Sequence, residues 1–258
     1  MIPKIIHFTW FSNDPYPEAV TKCMDSWKKH MPEYEIIHWD MNRIKNIDAH
    51  FLHEALAEKK WAFAADYVRL YAIANYGGIY LDTDVEVYDS FNNLLEHKCF
   101  IGRENSWHIV DGHITACYLS AHCFGAEKGH EFVLRTLNYY NNIHFRKTIA
   151  EVPNLLRLDM TILPYIQAIF AREYGYDWNL SANHMQKLSN DIVVYPSNYF
   201  DKHSDNSPSY CKHLAAGSWR ELAGREDKIT FAYKIEWRII ALLKQILKHF
   251  GYTIIKTT

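Results

Sequence analysis

At 258 residues, with 48% apolar and 22% charged side chains, the chain has the composition of a soluble globular protein, one domain with a helical elaboration or two small domains. A formal charge of −2 leaves no excess of Lys and Arg to neutralise phosphates, which excludes a broad nucleic-acid footprint. The five cysteines are scattered and never spaced as a CxxC pair, so they read as free thiols of a reducing compartment. No apolar run suits a signal peptide or a membrane span, and a cytoplasmic location is expected.

Ile5 to Phe11 reads as a first strand buried on both faces, followed by the loop 12–17, a helix over Glu18 to His30 and a second strand over Tyr34 to Trp39. A polar, helix-like region from Asn42 to Lys59 leads into a long amphipathic helix of roughly 60–75, which Gly77-Gly78 ends as a glycine C-cap. Ile79-Tyr80-Leu81 is the next strand. Further on, Phe100-Ile101-Gly102, Ala116 to Phe124 and Ile192 to Tyr195 read as strands, and Glu131 to Tyr140 and Ile162 to Tyr174 as helices. Residues 201–209 are polar and read as a loop. Residues 231–249 form a last helix with Trp237, Ile240 and Leu247 on one stripe and Lys234, Arg238, Lys244 and Lys248 elsewhere. Strand and helix alternate, which predicts an α/β fold with a mostly parallel central sheet. In such sheets ligands sit beyond the carboxyl ends of the strands.

Asp82 and Asp84 fall at such an end. At i and i+2 of an extended segment their carboxylates face one side, a seat for a hard divalent cation that completes its shell with water and phosphates. Taken alone, Asp-x-Asp is as often a surface turn. Asp66 and Arg69, three apart on the long helix, are read either as a surface ion pair worth about 0.2–0.5 kcal/mol or as polar lining of a cleft.

Four ordered motifs together are more specific than any one. Ile2-Pro3-Lys4-Ile5-Ile6-His7-Phe8-Thr9-Trp10, Asp66-x-x-Arg69, Gly77-Gly78-Ile79-Tyr80-Leu81-Asp82-Thr83-Asp84 and His213-x-x-x-Gly217-Ser218-Trp219 resemble glycosyltransferase family 32, the sugar transferases with an Asp-x-Asp region. The likeness covers most of residues 1–220 and is strongest at 62–86. It implies a GT-A fold over 1–225, a nucleotide-sugar donor with UDP-sugars favoured, Mn²⁺ or Mg²⁺, and transfer with retention to a glycan or lipid-linked glycan in surface polysaccharide assembly. It also implies that Trp10 stacks on the nucleotide base, that Asp66 and Arg69 hold sugar hydroxyls, and that Tyr80 precedes the metal motif. Asp84 then ligates the metal, Asp82 reaches the ribose and the cation, His213 is a further ligand, and Ser218 and Trp219 lie near the diphosphate. Members often carry a second His after the first, where this chain has Leu214, so imidazole ligation rests on His213 alone. His108, Asp111 and His113 are expected to line an acceptor pocket.

Residues 226–258 are expected to pack on the domain or to bind the inner face of a membrane through 231–249. Two other classes stay open. A haloacid-dehalogenase-type phosphatase also ends a strand in Asp-x-Asp but expects Thr or Val where Glu86 stands, and a non-catalytic sugar-binding protein would keep the fold alone.

Overall fold

The computed structural model describes residues 1–110, 113–146, 158–180, 183–201 and 209–215. Ser218, Trp219, Asp111 and the 231–249 stripe lie outside these residues. In chain order the elements are β1 (Ile5–Thr9), α1 (Glu18–His30), β2 (Glu35–Trp39), α2 (Met41–Ile44), α3 (His50–Ala57), α4 (Trp61–Tyr76), β3 (Gly78–Leu81) and β4 (Val85–Val87). There follow β5 (Cys99–Val110), β6 (His113–Ala126), α5 (Glu131–Asn141), α6 (Leu163–Ala171), β7 (Gln186–Lys187), β8 (Ile192–Tyr195) and β9 (Cys211–His213).

The α/β class is as expected, and the seven-stranded sheet, in the order β2-β1-β3-β6-β5-β8-β7, is mixed. β1 pairs in parallel with β2 and β3, and β5 with β8, whereas β6 runs antiparallel to both β3 and β5. Parallel pairing at β1–β3 requires a crossover, which α4 supplies. β4 and β9 form a separate antiparallel pair.

The helix carrying Asp66 and Arg69 is not amphipathic. Residues 63–70 and 72–74 are all buried, because α4 lies against β1 and β3 and also packs on α3 and α5. The helix-like region 42–59 is broken into α2, capped by the Asp40 carboxylate accepting from Arg43 N–H at 2.8 Å, and α3.

The glycine pair does more than end α4. Gly77 has φ 68° and ψ −176°, a region open essentially to Gly alone, and its N–H bonds the Ile73 carbonyl at 2.9 Å. A Cβ at Gly77 would sit 2.7 Å from the Lys128 backbone nitrogen, and one at Gly78 (φ 108°) 2.7 Å from the Ile5 carbonyl oxygen. Both positions therefore admit only a hydrogen where the chain enters β3. His7, fully buried, locks the same corner. Its Nε2–H donates to the Gly77 carbonyl at 2.8 Å while Nδ1 accepts from Trp39 Nε1–H at 3.1 Å, which defines the neutral tautomer. Burial holds its pKa down at about 4.

All five cysteines are free and buried. Among the described residues no helix is long and apolar enough to cross a membrane.

Candidate active site

β3 is buried at every position, so the chain must leave the sheet before it can present charge to solvent. It does so at Asp82, whose N–H donates to the His122 carbonyl at 2.9 Å, and whose carbonyl accepts from Val85 N–H at 3.0 Å. Asp82 to Val85 is thus a tight turn, and the carboxylates converge through that turn rather than through an extended i, i+2 run. The small sheet supplies the third group. β9 pairs Val85 with His213, Leu214 N–H donates to the Asp84 carbonyl at 2.9 Å, and His213 Nε2 comes to 3.3 Å from Asp84 Oδ1. Ligand atoms of Asp82, Asp84 and His213 all lie within 4.8 Å of one another.

Arg69 joins α4 to this turn. Its Nη2 lies 3.3 Å from Asp66 Oδ1 and 3.3 Å from Asp82 Oδ1, and Nη1 donates to the Ala121 carbonyl at 2.7 Å. Its guanidinium carbon stands 4.7 Å from the centre of the Tyr80 ring. The surface-ion-pair reading of Asp66 and Arg69 fails, since the residues are 8% and 5% exposed. Burial raises the Asp66 carboxyl to about 7 despite the opposing charge of Arg69. For Arg69 burial works against the charged form, but Asp82, Tyr80 and Asp66 together raise its pKa. Tyr80 is fully buried, so its ring does not open on the cleft. Its hydroxyl donates to Asp82 Oδ1 at 3.0 Å and lies 2.9 Å from Thr9 Oγ1, which fixes the Asp82 carboxylate.

Three further groups crowd the other side. His122 stacks on His213 with centroids 4.2 Å apart and planes 17° from parallel, and its Nδ1 is 3.8 Å from Glu104 Oε1. Burial, then His213, lowers the His122 pKa well below its ordinary value. Burial also lowers His213, but the hydrogen bond and charge of Asp84 outweigh it and the net shift is upward. Glu104 is raised to about 8 by burial and by Asp201. His122, Asp201 and His213 form a second set of ligand atoms within 4.8 Å. Imidazole lone pairs lie in the ring plane, so two stacked rings address different points. Asp82, Asp84 and His213 are the set that can close on one ion, and two carboxylates with one imidazole suit Mn²⁺ or Mg²⁺ with positions left for water and phosphate.

Trp10 follows β1 directly and is half-buried. Its ring meets Tyr16 edge-on at 5.3 Å, and its buried indole N–H has no hydrogen-bond partner among the described residues. His108 is described, with Nδ1 2.6 Å from Thr115 Oγ1. Sequence reasoning overlooked Glu104, His122 and Asp201, none of which sits in a motif.

An Asp-x-Asp turn at the carboxyl end of a central strand, in a mixed α/β sheet, is the arrangement that the resemblance to a GT-A fold implies. Residues 17–101 match the family described as "Glycosyltransferase sugar-binding region containing DXD motif". The chain is similar to that family over about a third of its length, a stretch that contains Asp66-x-x-Arg69 and Asp82-x-Asp84. It is 30% identical over 152 residues to inositol phosphoceramide mannosyltransferase 3 of Schizosaccharomyces pombe, a match spanning 56% of this chain and 40% of the relative's length. Among solved structures it is similar to the PaToxG glycosyltransferase (18% identity, 67% of this chain and 69% of that one, TM-score 0.43). It is also similar to the galactosyltransferase LgtC in complex with donor and acceptor sugar analogs (13%, 83% and 87%, TM-score 0.41).

Proposed function

We propose that the chain is a metal-dependent, retaining glycosyltransferase that moves a hexose-type sugar from a nucleotide-sugar, a UDP-sugar before others, to a glycan or lipid-linked glycan in surface polysaccharide assembly at the cytoplasmic side. The observation that carries this is the convergence of Asp82, Asp84 and His213 beside a buried guanidinium that holds Asp82 and Asp66. Asp82, Asp84 and His213 would hold a Mn²⁺ or Mg²⁺ ion, which would supply Lewis-acid neutralisation of the leaving diphosphate.

The rest of the work falls to the chain. Asp66 accepts hydrogen bonds from donor-sugar hydroxyls, and Arg69 orients it while fixing Asp82. Tyr80 positions Asp82 through its hydroxyl. Trp10 offers its ring to the base. The acceptor oxygen bonds to the anomeric carbon on the face from which the phosphate oxygen leaves, and that oxygen takes the hydroxyl proton. Residues 1–225 are the proposed catalytic domain.

The test is hydrolysis of a panel of UDP- and GDP-sugars by the purified protein, with Mn²⁺, with Mg²⁺ and with EDTA. The curated relative's name adds a mannosyl donor to that panel. Turnover with one donor that EDTA abolishes is the expected result. Absence of both hydrolysis and nucleotide-sugar binding refutes the reading.

A further inference from the structure

The β5–β6 hairpin loses register twice beside the site. Ile101 pairs with Phe124 but Arg103 with Leu119, which leaves extra residues in β6 over 120–123, and the next pair, Trp107 with Cys117, leaves 104–106 looped out of β5. Bulges re-aim the side chains they carry. These two bring the Glu104 carboxylate to 3.8 Å from His122, which stacks on His213 of the metal set. Tyr118 is the one β6 residue between the Arg103–Leu119 and Trp107–Cys117 pairs, opposite the looped segment that carries Glu104. Cys117 S–H, next to Tyr118, donates to the Glu104 carbonyl at 3.5 Å. Tyr118 meets Tyr165 of α6 edge to face with centroids 6.3 Å apart, and Tyr165 lies 5.0 Å from the His108 ring. All three rings are half-buried. Burial, then Glu104 and Tyr165, raise the Tyr118 pKa, as closely grouped side chains should.

We propose that Tyr118, Tyr165 and Glu104 form the acceptor subsite and that the acceptor presents a polyhydroxylated six-membered ring to it. The inference rests on the proposed function. Axial C–H bonds on one face of such a ring carry partial positive charge and meet the negative face of an aromatic. A carboxyl at the inner end pairs with ring hydroxyls and turns one toward Asp82 and Asp84. An alkyl chain would cover the tyrosines but offer the Glu104 carboxyl no hydrogen bond, so a ring with hydroxyls fits where a lipid tail does not. A pyranose and a cyclitol share this chemistry.

The experiment has two readouts on the full-length protein. Saturation-transfer NMR with octyl glucoside, octyl mannoside, myo-inositol and octanol reports the subsite without any donor, and acceptor-independent hydrolysis of the nucleotide-sugar reports the proposed function. Wild type is expected to saturate one ring face of a pyranoside or of inositol, and not octanol, and the ligand that responds decides between the two ring types. Tyr165→Ala should raise the acceptor KM by about ten-fold, the scale of a lost aromatic contact, with donor hydrolysis within about two-fold of wild type, while Tyr165→Phe stays near wild type. Glu104→Gln should raise the acceptor KM. Octanol saturating as strongly as the ring compounds overturns the proposal, as does an unchanged acceptor KM in Tyr165→Ala. The wild-type spectrum decides the matter even where a variant fails to fold. Loss of donor hydrolysis alone, with ring saturation intact, counts against the proposed function and not against the subsite.

Discussion

Arg69→Met tests how the site is held together. The substitution keeps most of the side-chain volume but deletes ion pairs to Asp66 and Asp82, both at 3.3 Å, and the hydrogen bond to the Ala121 carbonyl at 2.7 Å. Two carboxylates are left facing each other, one of them on a helix buried on nearly all sides. Removing one partner of a buried ion pair costs about 3–5 kcal/mol. At an m-value of about 2–3 kcal/mol/M the urea midpoint should fall by roughly 1–2 M. Asp66→Asn in the same background removes one uncompensated carboxylate and should restore about 1–3 kcal/mol, a coupling that a double-mutant cycle reads directly. Urea unfolding followed by far-UV circular dichroism at pH 7.5 measures all four proteins. An Arg69→Met penalty below about 1 kcal/mol, or no coupling to Asp66, would refute the claim that this guanidinium organises the carboxylates.

Asp66 should also make wild type less stable as pH rises. Its carboxyl is raised to about 7 in the folded protein from 3.8, so the folded state binds the proton more tightly and stability falls between about pH 4 and pH 7, by roughly 4 kcal/mol for the isolated group. Asp66→Asn should flatten that part of the profile, and an unchanged slope counts against it. His7 works in the opposite direction. Its folded pKa of about 4 lies below 6.5, so stability is lost as pH falls from 6.5 to 4, by roughly 3 kcal/mol, and His7→Gln should lose less over that interval. Gly77→Ala forces a Cβ to 2.7 Å from the Lys128 nitrogen at a φ of 68° and should cost about 2–3 kcal/mol in thermal or urea unfolding. A smaller cost would show that the corner before β3 can relax.

Legibility varied along the chain for physical reasons. The strand at Ile79-Tyr80-Leu81 was readable because a continuous apolar run between a glycine pair and an acidic exit has few other solutions. α1 was readable from its bounds, and the free thiols from their spacing. The hairpin was only half visible. Phe100-Ile101-Gly102 marked its start, but Arg103-Glu104-Asn105-Ser106 breaks strand alternation because that segment carries a bulge, so β5 reaches Val110 unannounced. The same break hid Glu104 and His122, whose placement depends on register lost in two strands. His213 was singled out by likeness to known transferases alone. Nothing local shows that β9 will pair with β4 and deliver the imidazole to Asp84. The long helix was misread as amphipathic because Tyr and Arg count as polar in a periodic pattern, whereas here they are buried on one another and on Asp82.

Manganese binding to the full-length protein with UDP present, followed by calorimetry and by loss of the free-ion EPR signal, addresses the metal seat most directly. Wild type should take up one ion, with Asp84→Ala and His213→Ala weakened at least about ten-fold while their circular dichroism is unchanged. Equal affinity in all three proteins would mean that Asp82, Asp84 and His213 do not hold the ion.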